Sequence, residues 1–159
     1  MSPLWLRPPG SLEEMDNVDG PKHHLQPSRR RGNVLREGGR VTVARVLVVG
    51  LDPAKIQGWD PEPVQAALAR GQARFDDHGI EADWCLVALD ENPEGAIVEA
   101  LTREDHVCVV IGGGIRTHEP LLEFFERVVN LVRRHAPDAA IAFNSSPEDC
   151  ADAALRWLR

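Results

Sequence analysis

No apolar run in the chain approaches the roughly 18 residues of a membrane-spanning helix, and none is expected to cross a bilayer. Met1 to Gly10 lacks the apolar centre and small-residue cleavage site of a secretory signal. Cysteine is scarce. Cys85, Cys108 and Cys150 are odd in number, far apart and set in apolar or helical contexts, so they read as reduced thiols of a cytoplasmic protein, not as disulfides or a metal site. Positive charge is scarce as well. The net charge is −7, unevenly divided into +2 over residues 1–40 and −9 over residues 41–159, where Lys55 is the one lysine. This balance argues against nucleic acid as a partner and against anionic membranes. Also missing are a G-x-G-x-x-G fingerprint, a Walker sequence and a G-x-S-x-G elbow. Dinucleotide binding, nucleoside triphosphate binding and Ser-His-Asp catalysis are disfavoured accordingly.

What the chain does contain is one informative stretch, Val107-Cys-Val-Val-Ile-Gly-Gly-Gly-Ile-Arg-Thr-His118. A continuous β-branched run without polar alternation is the habit of a strand buried on both faces, as in parallel sheets. Glycines at its carboxyl end let the backbone turn tightly and let something approach it closely.

The rest falls into place around that run. Residues 1–40 have no helical or strand period, and disorder is the expectation. His23-His24 and Arg29-Arg30-Arg31 are weak signals of a metal tract and a basic arm. Arg36-Glu37-Gly38-Gly39 is also what a purine-rich ribosome-binding sequence would give if translated, with Val41 or Val43 as the true start. From Val41 strands and helices alternate in a single domain. The first strand is Arg45 to Gly50, and Asp60-Pro61-Glu62 opens a helix whose Val64, Ala67, Leu68, Gly71 and Phe75 share a face. Ala82 to Leu89 is the second strand. Asn92-Pro93-Glu94 caps a short helix carrying Ile97, Val98 and Leu101. Val107 to Ile111 is the third strand. Glu119-Pro120 starts the longest helix, with Leu121, Leu122, Phe125, Val128, Val129 and Val132 inward. Ala139 to Phe143 is the fourth strand. Ser146-Pro147-Glu148-Asp149 caps a last helix with Cys150, Ala153, Ala154, Trp157 and Leu158 inward. The pattern predicts an α/β three-layer sandwich with a four-stranded parallel sheet, order 2-1-3-4.

In such a sheet ligands bind beyond the strand carboxyl ends where the order reverses, here between strands 1 and 3. The walls would be Asp52–Trp59, Gly112–His118 and Asn144-Ser145-Ser146. His78, His106 and His135 fall on the opposite rim, and only His118 on this one. Gly112, Gly113 and Gly114, with Arg116 and Thr117, would cradle a phosphate or carboxylate through backbone N–H groups and a bidentate guanidinium. The competing reading gives the glycines only a turn to shape. Asn144 and Ser145 would donate further hydrogen bonds. Asp52 and His118 are the candidates for acid–base chemistry, although Asp52 also suits a plain Asp-Pro turn. Trp59 could close over a ligand. No particular cofactor is implied.

The alternation over residues 43–159 resembles the flavodoxin-like group, one βα unit short of the usual five. The string Ile111-Gly-Gly-Gly-Ile115 resembles the third-strand end of cobalamin-binding domains. Their Asp-x-His-x-x-Gly motif would fall on Asp52-Pro53-Ala54-Lys55-Ile56-Gln57, which has no histidine for cobalt. Response-regulator receivers are similar in topology, but here Asp52 stands alone, Gly112 occupies the phosphorylation position and there is no fifth strand. The phosphate loop that flavodoxins carry after strand 1 is missing too. As a whole the chain resembles bacterial proteins with a Gly-Gly-Gly-Ile-Arg turn and a final Asn-Ser-Ser-Pro-Glu-Asp segment, which implies a fold and no activity. Two functions are therefore expected in competition. One is binding of a small anionic metabolite at the crevice. The other is a scaffold or interaction subunit, for which a homodimer is one expectation because four strands leave sheet edges to cover.

Overall fold

The computed structural model describes residues 34–37 and 40–158, with side chains from Val43 onward. Strand β3 (Arg45–Leu51) leads to α1 (Glu62–Asp77), β4 (Glu81–Val87), α2 (Pro93–Arg103) and β5 (Cys108–Ile111). A four-residue helix, α3 (Gly113–Arg116), then precedes α4 (Leu122–His135), β6 (Ala140–Phe143) and α5 (Cys150–Leu155). The sheet is wholly parallel, in the order β4-β3-β5-β6. The four expected strands and their order are thus as read, in a three-layer, flavodoxin-like sandwich.

Sheet alternation divides the core in two. Val46, Val48, Cys108, Val110 and Ala142 face α1 and α5, meeting Phe75, Cys150, Ala151, Ala153 and Ala154. Leu47, Val49, Val109 and Ile111 face the other way, onto Ile97 and Leu101 of α2, Ile115 of α3, and Phe124, Val128 and Val132 of α4. A strand covered on both faces has no polar side to show, which is why β3 and β5 read as unbroken apolar runs. At the sheet's upper end α1 lies unusually close to the turn before α5. A Cβ on Gly71 would stand 2.3 Å from the Pro147 carbonyl oxygen, so only glycine fits there.

Several local expectations change. Val34–Glu37 pairs antiparallel with β2 (Arg40–Val43), Glu37 opposite Arg40, where no regular structure was expected before Val41. The signal was in the sequence, because apolar residues on either side of Gly38-Gly39 are a hairpin pattern. We number the first of these strands β1. Residues 1–33, with His23-His24 and Arg29-Arg30-Arg31, lie outside the described residues. Among the described residues the longest helix is α1, with 16 residues, and α4 has 14. The buried stripe of α4 runs through Phe124, Val128 and Val132, leaving Leu122 56% exposed and Phe125 half-buried. Helix α5 ends at Leu155, before Trp157 can turn inward, so that indole is 60% exposed. Among the described residues no helix is long and apolar enough to cross a membrane.

Candidate functional site

A pocket of about 490 Å³ opens at the carboxyl ends of β3 and β5. Each wall follows from the connectivity. A chain leaving β3 at its carboxyl end must enter α1 at that same end, so the first turns of the helix stand over the crevice. Val64 and Leu68, one turn apart, form one wall with Leu51, Pro53, Ile56 and Trp59 of the connecting loop and Leu86 of β4. The facing wall is Gly112, Gly113 and Gly114, then Thr117 and His118. Asn144, Ser145, Ser146, Pro147 and Cys150, which follow β6, complete it. One side is therefore apolar and the other is made of bare backbone, hydroxyls and an imidazole. Among the described residues, no lysine, arginine, aspartate or glutamate lines the pocket.

Of the residues singled out in the sequence, Gly112, Gly113, Gly114, Thr117, His118, Asn144 and Ser145 line this pocket together, and Asp52 and Arg116 do not. The reason for Arg116 is rotational. Residues 113–116 are helical, and at 100° per residue positions 113, 114 and 117 lie on one side while 115 and 116 lie on the other. Ile115 accordingly enters the core with no exposed surface. The Arg116 guanidinium lies 5.7 Å above the Phe143 ring, and its Nη2 donates to the Asn144 carbonyl oxygen at 2.8 Å. Asp52 is occupied locally, its Oδ1 accepting from the Ala54 N–H at 2.9 Å. Lys55 donates to Glu91 at 2.8 Å, outside the pocket.

The expected cradle of backbone amides is partly spoken for. The Gly112 N–H donates to the Val49 carbonyl oxygen at 2.8 Å and the Gly113 N–H to Asn144 Oδ1 at 2.8 Å. Asn144 is a buried staple, since its Nδ2 also donates to Cys150 Sγ at 3.1 Å. Burial pushes the Cys150 thiol up to about 11, so it is no thiolate nucleophile near neutrality. The amides of Ser145 and Ser146 donate to the Asp149 carboxylate, and the Ser146 side chain accepts from the Asp149 N–H in return, a capping box on the pocket's rim. Thr117 Oγ1 donates to the Gly113 carbonyl oxygen at 2.7 Å and keeps its lone pairs.

The three glycines differ in what they require. All of Gly112, Gly113 and Gly114 have negative φ, so none is demanded by backbone conformation. A Cβ on Gly112 would be tight, 3.2 Å from the Val49 carbonyl oxygen. On Gly113 and Gly114 it would meet nothing nearer than 3.6 Å and 3.7 Å, ordinary contact distances. Turn formation and packing explain Gly112 only.

In the sequence Val64 and Leu68 read only as part of one apolar helix face, and in the structure they line the pocket. The signal available was their place in the first two turns of a helix entered from the carboxyl rim. Among the described residues no group of three His, Cys, Asp or Glu side chains is placed to hold a metal ion.

Fold and site define an open parallel α/β domain with a half-apolar pocket at its topological switch point. No known protein family matches the chain, and no curated protein is similar to it.

Proposed function

We propose that the protein binds a small molecule in the pocket between β3 and β5, against the bare backbone of Gly113 and Gly114. One observation carries the reading. Glycine in a helical turn costs roughly 0.5–1 kcal/mol relative to alanine, and at these two positions neither conformation nor packing asks for it. Space in front of the backbone is what alanine would remove. A hydrogen-bonding or singly anionic group of the ligand would meet Ser145, Thr117 and His118 on that side, and the ligand's body would lie along Leu68 and Trp59. Any proton transfer would fall to His118, the one titratable side chain with a ring nitrogen on this wall.

Gly113→Ala and Gly114→Ala test the reading by sign. Thermal unfolding of either variant is expected at or slightly above the wild-type temperature, while stabilisation by ligands in a thermal-shift screen is lost. Destabilisation by 1 kcal/mol or more in both would return the glycines to a structural role. A second reading, self-association, is favoured by the edge strand β6, where Phe143 is 39% exposed. Light scattering of the purified chain decides whether it forms dimers.

A further inference from the structure

We infer that the ligand is a flat, largely apolar molecule with at most one negative charge, stacked on Trp59, and that phosphate-rich molecules are excluded. This rests on the binding reading and narrows it to a chemical class.

Charge is the first observation. Lys55, Arg70 and Arg116 are each held elsewhere: Lys55 by Glu91 at 2.8 Å, Arg70 by Glu148 at 2.5 Å, and Arg116 by the Asn144 carbonyl oxygen and the Phe143 ring. A di- or triphosphate would bring several charges to a domain of net −9 over residues 41–159. No lining lysine or arginine would meet them. Bringing anions against like charge without a counterion costs more than neutral hydrogen bonds return.

Shape is the second. A pocket of about 490 Å³ suits a ligand of ordinary metabolite size. Trp59 lines it and is still 65% exposed. An indole left so bare at a pocket mouth gains when a second flat surface slides beneath it, through buried area and offset stacking. Gly58 precedes it with φ +78° and nothing within 4 Å of a hypothetical Cβ, so backbone conformation alone demands glycine there. That left-handed residue sets the direction in which the chain presents Trp59 over the opening. Leu68 and Leu86 share the indole's wall and accept an apolar body. Ser145 and His118 on the far wall accept one polar group at its end.

Isothermal titration of the full chain with 2-naphthoate, 2-naphthol, inorganic phosphate and ATP tests the class. The naphthalene probes are expected to bind one per chain, with phosphate and ATP giving no saturable heat. Trp59→Ala should weaken naphthalene binding at least tenfold without changing the unfolding temperature, and Gly114→Val should abolish it in a protein whose circular dichroism is unchanged. Binding of ATP or phosphate that Gly114→Val removes, with no response to naphthalenes, overturns the class and leaves the binding reading standing. Naphthalene binding unaltered in both variants overturns it too, by placing the probe elsewhere. No heat from any of the four at millimolar concentration overturns the class and the binding reading together.

Discussion

The two ends of the sheet use polar residues in opposite ways. At the amino end Arg45, Asp83 and His106 close on one another. Arg45 Nη1 stands 3.3 Å from both Asp83 carboxylate oxygens, and His106 Nε2 lies 2.8 Å from Asp83 Oδ2. Glu81, opposite Arg45 in the register, pairs with the same guanidinium. At the carboxyl end the charged side chains pair away from the crevice, and a pocket without charge is left between apolar and neutral polar walls. The same residue types are available to both rims. What separates them is strand direction, because parallel strands put every βα connection, and hence every adaptable loop, at one end. A charge cluster at the amino rim is a fastening, and the pocket at the carboxyl rim is the candidate site.

If the carboxyl rim is a built cavity, its supports should be sensitive where its lining is not. Gly71 is the strictest support. With the Pro147 carbonyl oxygen 2.3 Å from its hypothetical Cβ, Gly71→Val must push α1 off the Ser146–Asp149 turn. We expect a loss of about 3 kcal/mol in chemical denaturation, at the upper end of ordinary overpacking, and with it loss of any ligand response. A loss under 1 kcal/mol would mean that the two segments separate easily and that the pocket is not fixed by them.

Asn144→Ala comes next. It removes the acceptor for the Gly113 N–H and the donor to Cys150 in one buried residue. Leaving such groups unpaired costs about 1–3 kcal/mol. Asn144→Asp keeps the acceptor but places a carboxylate in a buried position with no cation lining the cavity, so it should not rescue stability at neutral pH. Rescue by aspartate would show that the Gly113 contact alone matters and that the site tolerates charge, which would weaken the contrast between the rims.

Fold and site were legible to different depths. Strand order came from unbroken runs such as Val46–Val49 and Val109–Ile111, whose burial on both faces leaves a plain trace. The crevice then followed from topology without any motif. Arg116 did not follow, because a loop after three glycines carries no sign that it will coil into one helical turn. That turn carries residue 116 around to Phe143. Trp157 and Phe124 shifted for a related reason. Apolar periodicity fixes a stripe only to within a residue or two where the helix is short or its neighbours are apolar as well. The hairpin of β1 and β2 was legible from Gly38-Gly39, although the same string also fits a translated ribosome-binding sequence.

The smallest effect expected is at the amino rim, and it appears only in acid. Burial alone would raise the Asp83 pKa, but hydrogen bonds from His106 and Arg45, with the charges of both, hold it below the ordinary 3.8. A carboxylate whose pKa is depressed by folding stabilises the folded state at every pH above its unfolded value, and that contribution fades as pH falls through the folded one. The window is therefore below about pH 4, and nothing from this group should change between pH 5 and 8. Its side chain is 41% exposed, so solvent screening keeps the effect modest. Urea midpoints of wild type and Asp83→Asn measured from pH 6 to 2.5 should run parallel above pH 4.5, the wild type then falling more steeply. Glu148 on the other rim is also held low, by its hydrogen bond from Arg70, but that pair lies open to solvent. Glu148→Gln should accordingly flatten the acid limb less than Asp83→Asn does. Equal flattening would mean that the amino-rim cluster is no tighter a fastening than a surface ion pair, and the distinction between a closed rim and an open one would fail on the closed side.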